Sequence, residues 1–445
     1  MSAHLALAIV IHHAVGPSGY VRDRIDNIRL AEALYPGRVP LVLSEIVFSD
    51  ANFVDACSVG CIEVARKIAK GSVLPQSTIV DAFRHSCGSG HLRTAKWLTD
   101  RFGLTADDAR SDSNAALICS CENGHLDLAN WLTDRFGLTA DDARTGGNNA
   151  LKFSCYAGQL VMVKWLIDKF GLTAEDVRDK SNAALRCSCY RGHLDVAKWL
   201  TVRFGLTAKD VRYEDYSLLQ EMCVNGHLDI VKWVTDTFGL TAEDARDDGN
   251  YVLLEFCANG YLAIAKWLVE RFGLTADDAR SRDNYALRRS CRNGHLDVAQ
   301  WLTDRFGLTA EDARSDHHYA LRCSCYRGHL DVAKWLTVRF GLTAKDVRSF
   351  DNYALVGCFK NGHLDVAKWL VERFGLTAED VRSFDNYALR CNCENGHLDV
   401  AKWLVERFGV TAEDVRSNGN YALIKSCKNG HLDVAKWLTE RFGLQ

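Results

Sequence analysis

The sequence lacks most of what marks a familiar chemistry. It has no block of like charge: 54 Lys and Arg stand against 57 Asp and Glu, for a net charge of −3. Neither a basic nucleic-acid surface nor an acidic tail is therefore expected. No apolar run reaches the ~18–20 residues of a membrane span. The run Leu5 to Ile11 has no Lys or Arg before it, and His12 and His13 follow where a cleavage site would want small residues. It reads as a buried helix or strand and not as a secretory signal. There are only four prolines, Pro17, Pro36, Pro40 and Pro75. No Gly-rich phosphate loop, nucleophile elbow or metal-binding His-Glu helix appears. An active site needs unique residues, and almost none lie outside residues 1–50. No enzyme, no cofactor and no metal is expected.

What is present is repetition. All 11 tryptophans, from Trp97 to Trp437, stand 34 residues apart with no insertion. The stretch Asn361 to Leu370 reads NGHLDVAKWL and returns unchanged at Asn395 to Leu404 and Asn429 to Leu438. A fixed period in this range marks a solenoid of supersecondary units. Three segments are expected: a non-repeat N-terminal stretch, residues 1–50; a worn repeat, residues 51–80, in which Lys67 replaces tryptophan; and eleven regular repeats, residues 81–445. Within residues 1–50, Ile28 to Leu34 looks helical and Tyr35-Pro36-Gly37 stops it.

One regular repeat, residues 385–417, shows what each can do. Leu389 and Cys393, four apart, define one face of a first helix, and either Asp385 or Asn386 is suited to cap it. Asn395-Gly396 ends it, because glycine takes the left-handed conformation at low cost. A second helix follows, from about Leu398 to Phe408. Leu398, Val400, Ala401, Leu404 and Phe408 form its apolar stripe, which Trp403 widens. Gly409 stops it, and Thr411 to Asp414 has the form of an N-cap with an acid three residues on. A short third helix ending near Arg416 is expected. No single helix pair can bury both faces, so stacking supplies the stability, at roughly 1.5–3 kcal/mol per fully buried large apolar side chain.

The period equals that of a tetratricopeptide repeat, but Trp-Leu is adjacent here and no regular repeat carries a proline. Gly396-His-Leu-Asp-Val-Ala-Lys-Trp-Leu404 resembles the Gly-His-Leu-Glu-Val-Val-Lys-Leu-Leu helix of the ankyrin repeat. Leu389, Asn392 and Cys393 match that family's first helix. The resemblance covers roughly residues 53 to 445. Its Thr-Pro-Leu-His becomes Tyr387-Ala-Leu-Arg390, and its hairpin tip becomes Phe408 to Arg416. The expected fold class is thus all-α: an ankyrin-like solenoid of stacked helix–turn–helix repeats, with short helical returns in place of β-hairpins. Arrays with Lys-Trp-Leu in the second helix look like those abundant in protists and large DNA viruses. That implies an intracellular, cytoplasmic setting, of a protist or of a virus's host cell. The 17 cysteines agree with a reducing compartment.

Recurrent polar residues read as structural. Ten of eleven repeats place cysteine at one core position, with Phe359 in the eleventh. Cys-x-Cys residues on a helix do not face each other, so buried small thiols fit better than zinc. The histidine after each glycine gives way to Gln159 and Tyr261, which disfavours catalysis and suits a hydrogen bond across the inter-helix turn. Asp and Arg of the returns are expected to pair within or between neighbours. Leu185 to Arg212 and Leu321 to Arg348 are identical, so sameness partly reflects copying, and variation is the more informative signal. It concentrates two residues before each glycine, just after the first-helix leucine, and at a tip such as Ser111-Asp-Ser, Thr145-Gly-Gly or Ser349-Phe-Asp. The candidate partner-binding residues are Tyr156, Arg186, Tyr190, Arg288, Arg292, Arg322, Tyr326, Lys360, Arg390 and Lys428. The ankyrin resemblance would place them on the concave face, and Tyr and Arg suit interface hot spots. The expected function is a scaffold binding a protein partner. The alternative is an adaptor, for example for a ubiquitin ligase, recruiting machinery through residues 1–50. The last repeat keeps its full apolar set, Trp437 and Leu438 included, so self-association through its outer face is a further expectation.

Overall fold

The computed structural model describes residues 50–212 and 218–443, apart from the side chains at 351, 383–385 and 417. The expected non-repeat segment, with its apolar run and its helix at Ile28 to Leu34, lies outside the described residues but for Asp50. The chain forms two compact units, divided between Leu218 and Leu219.

Both units are all-α stacks of one motif, and no β-strand occurs among the described residues. In the first unit, helix pairs run from Asp50–Ser58 with Ile62–Gly71 to Ala174–Tyr190 with Leu194–Phe204. In the second, they run from Ala242–Ala258 with Leu262–Phe272 to Ala412–Lys428 with Leu432–Phe442. First helices pack on first helices of the neighbouring repeats, and each also packs on its own second helix. The core is one layer repeated: Leu117 and Cys121 of one first helix, Leu128, Ala129 and Leu132 of the following second helix, all buried.

From Leu92–Phe102 onward, second helices are eleven residues long and run from Leu to Phe. Gly137 takes φ 61°, and Leu138 N–H closes back on Thr133 O at 3.1 Å while its side chain is buried. That is a Schellman stop with its hydrophobic contact. The return helix is capped reciprocally. Thr105 accepts from Asp108 N–H, and Asp108 Oδ2 accepts from Thr105 N–H at 2.8 Å. The return leads into the next first helix through a tip where the hairpin was expected to be absent. Asp112, Ser113 and Asn114 all sit near φ 50–63°, as do their counterparts in other repeats. Three consecutive left-handed residues form one turn of opposite hand, which costs about 1–2 kcal/mol for each residue that is not glycine.

This tip corrects one expectation. Asn386 does not cap the first helix; it is itself left-handed, at φ 59°. Its amide reaches the next repeat, 3.3 Å from Asp414 Oδ1. Asn114 behaves likewise, donating to Asp142 O at 3.3 Å and Thr145 Oγ1 at 2.9 Å. The short polar side chain that suits a cap also tolerates the left-handed region, and here it joins repeats.

Candidate protein-interaction face

The turn between the two helices of a repeat organises the face. Gly158 ends its first helix at φ 71°, and Gln159 N–H closes on Ser154 O at 2.9 Å. Against this glycine lies the histidine of the next repeat. A Cβ added at Gly158 would meet the His193 ring, 2.6 Å from its Cε1. The same pairing joins Gly294 to His329 and Gly362 to His397, while Gly226 meets Tyr261. His193 Nε2 in turn lies 3.0 Å from Tyr156 O, and His397 Nε2 3.2 Å from Lys360 O. Tyr261, which replaces histidine, donates its hydroxyl to Val224 O at 2.8 Å. The histidine therefore bonds not across its own turn, as expected, but to the preceding repeat. Its target is the backbone of the residue two before the glycine, the most variable position. Burial lowers the His329 and His363 pKa below 6.5, which keeps both rings neutral at pH 7.

A second ladder runs along the returns. Arg144 Nε donates to Asp176 Oδ1 of the next repeat at 2.7 Å and Nη2 to Oδ2 at 3.2 Å, while Thr173 N–H donates to the same carboxylate at 2.8 Å. One aspartate thus caps its own helix and holds its neighbour's arginine. Arg110 adds a bond to Gly137 O at 3.2 Å, placing a cation at a helix C-terminus. The Arg144 guanidinium beside Asp176 holds its carboxyl below its ordinary value. The expected pairing thus runs between neighbouring returns, and each such aspartate also serves as a cap.

The cysteine ladder is core filling, as read, from Cys87 to Cys393, but its last member, Cys427, is exposed. Burial pushes the Cys393 thiol up to about 12 and Cys358 well above its ordinary value. The residue before each core cysteine forms a further seam that the sequence reading missed. Ser290 Oγ donates to Cys257 O of the previous repeat at 3.0 Å, and Cys358 Sγ takes that role toward Cys325 O at 3.4 Å. The signal was available as a serine at this place in seven of the eleven regular repeats. Tryptophans are half-buried between repeats: Trp131 packs edge-on against Phe83 at 6.4 Å, and Trp165 Nε1 donates to Asn130 Oδ1 at 2.8 Å. Among the described residues, no group of three or more His, Cys, Asp or Glu is placed to hold a metal ion. No described helix is long and apolar enough to cross a membrane.

A family model described as ankyrin repeats, in three copies, matches residues 219–312 and 355–444. Those two stretches carry ankyrin repeats. No curated protein matches the chain. Ankyrin repeats generally mediate protein–protein interaction, and the candidate residues all lie on first helices.

In the first unit, Tyr156 and Tyr190 stack with ring centroids 6.4 Å apart, and the Arg191 guanidinium lies 4.8 Å from the Tyr156 ring. Arg186 lies one turn back and donates to Lys180 O at 3.4 Å. In the second unit, Tyr326 stacks on Tyr353 at 5.9 Å, and Arg292 donates to Tyr319 Oη at 2.8 Å. Arg288 pairs with Asp316 and lies 5.1 Å from the Tyr319 ring. Arg390 lies between the Tyr387 and Tyr421 rings, at 5.8 and 5.2 Å. Lys360 and Lys428 are exposed. Arg322 departs from expectation. It is only 7% exposed, and its guanidinium donates to His317 O at 2.6 Å and Asp316 O at 3.0 Å. The left-handed tip directs those carbonyls inward, so this arginine buttresses the tip from below. Phe350, in a variable tip but outside the ten candidates, is 54% exposed beside Tyr353. Phenylalanine recurs at this tip place only at Phe384.

Proposed function

We propose that the chain is an intracellular, non-catalytic scaffold that binds a protein partner through the solvent side of its first helices. The observation that carries this is a division of labour within each repeat. Glycine, histidine, aspartate and arginine fix the backbone by the same bonds in repeat after repeat. The residues two before the glycine, such as Tyr156, Tyr190, Tyr326 and Lys360, vary on a backbone held in one place. Fixed spacing with variable chemistry suits recognition. Aromatic and arginine side chains supply large contact areas at low entropic cost.

The test is affinity purification from the native host with mass spectrometry, using the whole chain and a Tyr156→Ala, Tyr190→Ala, Arg292→Ala variant. Specific partners should be lost with no fall in melting temperature. Unchanged capture would overturn the mapping. The adaptor alternative draws on residues 1–50; deleting 1–49 should spare the client and lose an effector if it holds. Self-association is a separate reading. It is favoured by Leu432 and Ile424, 70% and 56% exposed. Light scattering that stays monomeric into the high micromolar range would remove it.

A further inference from the structure

In the second unit, tyrosine recurs at one first-helix position: Tyr251, Tyr285, Tyr319, Tyr353, Tyr387 and Tyr421. The same position in the first unit holds Ala115, Asn149 and Ala183. Between two of these tyrosines lies a concavity of about 330 Å³, lined by Tyr326, Phe350, Tyr353, Val356, Gly357, Lys360 and Tyr387. Gly357 makes the room, since an added Cβ would come 3.0 Å from Tyr326 Cδ2. Cysteine fills that place in the neighbouring repeats, at Cys323 and Cys391. The buried Arg322 guanidinium lies 4.3 Å from the Phe350 ring centroid and 5.4 Å from that of Tyr353. It fixes both rings from behind.

The surroundings are one-signed, although the whole chain is nearly neutral. Residues 285–292, 319–327, 353–360, 387–394 and 421–428 hold nine Lys or Arg and one acid, Glu394. That acid is already engaged, 3.4 Å from Lys425 Nζ and 3.1 Å from Tyr421 Oη. A surface of this kind attracts an acidic partner, and the concavity offers a seat for an apolar anchor. We propose that this pocket seats one bulky apolar side chain of an acidic peptide segment, one of whose flanking carboxylates meets Lys360. The proposal rests on the first-helix side being a protein-recognition surface, and it names the partner's chemistry and its anchor point.

A nucleic acid fits less well. Lys360 is the pocket's one lining cation, and the nearby guanidiniums of Arg322 and Arg288 are turned to backbone carbonyls and to Asp316. A phosphodiester chain brings a charge at every nucleotide and draws its affinity from rows of uncommitted Lys and Arg.

The experiment measures fluorescence anisotropy of the whole chain with labelled peptides of about 12 residues, carrying a central Phe, Leu or Trp among Asp and Glu. Matched peptides carry Ala at the centre, or Lys in place of the acids. Binding by the acidic, anchored set is expected, weakened about tenfold by the central Ala and by Phe350→Ala or Lys360→Glu. Both variants alter exposed side chains, and circular dichroism checks their fold. Lys198→Glu, exposed on a second helix of the first unit, should change nothing. No binding, equal binding of the Lys peptides, or indifference to both variants would overturn the proposal. So would tighter, Lys360-dependent binding of oligodeoxythymidine of about 20 nucleotides. If the pocket fails while the Tyr156, Tyr190, Arg292 variant still loses native partners, the fault lies in the partner chemistry and not in the recognition surface.

Discussion

The glycine–histidine contact between repeats yields a sharp prediction, because the same repeat contains its own control. Gly158 and Gly171 both have positive φ, 71° and 61°. Alanine at either meets the left-handed penalty of about 1–2 kcal/mol. At Gly171 nothing lies within 4 Å of the added Cβ, so the change should stop there. At Gly158 the Cβ would lie 2.7 Å from His193 Cγ, so the ring must leave. Its hydrogen bond to Tyr156 O goes with it, and an unmade bond at a partly buried acceptor adds about 1–3 kcal/mol. Gly158→Ala should therefore cost about 2–5 kcal/mol against about 1–2 for Gly171→Ala. Urea denaturation of the whole chain followed by circular dichroism reads the difference as a shift in midpoint. In a His193→Gly background the ring is gone, and Gly158→Ala should cost no more than Gly171→Ala, a coupling of about 1–3 kcal/mol between residues 35 positions apart. Equal costs at the two glycines, or a Gly158 penalty that survives the loss of His193, would refute the contact.

Four further outcomes follow from the same geometry. Asp176→Ala removes a helix cap and an arginine partner together and should cost about 1–3 kcal/mol, read from the same urea midpoints. Acid should weaken the fold in two stages: histidines held below 6.5, such as His329 and His363, lose their contribution as pH falls below about 6.5. Aspartates held below 3.8, such as Asp176, keep theirs above that value and lose it as pH falls further, which a pH series of melting curves resolves. Ser113→Gly, at an exposed tip residue with φ 59°, should raise stability by about 0.5–1 kcal/mol. Gly147, Gly249 and Gly419 already occupy that place in other repeats. Iodoacetamide should label Cys427, which is exposed, within minutes of mixing on the order of the free thiol rate, while Cys393 waits for unfolding.

The stack was legible because its signals are local. Leu389 and Cys393 four apart, Gly396 at the turn and Thr411 to Asp414 at the return each specify a helix or an end through neighbours a few residues away. The missing hairpin was legible for the same reason. What escaped reading joins residues about 28 to 37 positions apart, where only the packing of one repeat on the next decides. His193 pairs with Gly158 and Tyr156, and Asn386 with Asp414, and no local pattern announces either. Copying hid them further, since a repeat identical to its neighbour shows no covariation. For the candidate face, position was legible but burial was not. Arg322 and Arg390 share a place in the repeat, yet Arg322 turns beneath Phe350 because the tip there carries an aromatic residue.

The central claim is that the uniform part of each repeat holds the variable part out to a partner. Site-specific photocrosslinking tests it most directly, with benzoylphenylalanine placed singly at Tyr156, Tyr190 and Tyr326 and, for contrast, at the exposed second-helix residues Lys198 and Lys334. Irradiation in the native host should join partners to the three tyrosine positions and leave the two lysine positions bare. Adducts confined to Lys198 and Lys334 would place recognition on the uniform helix and contradict the account.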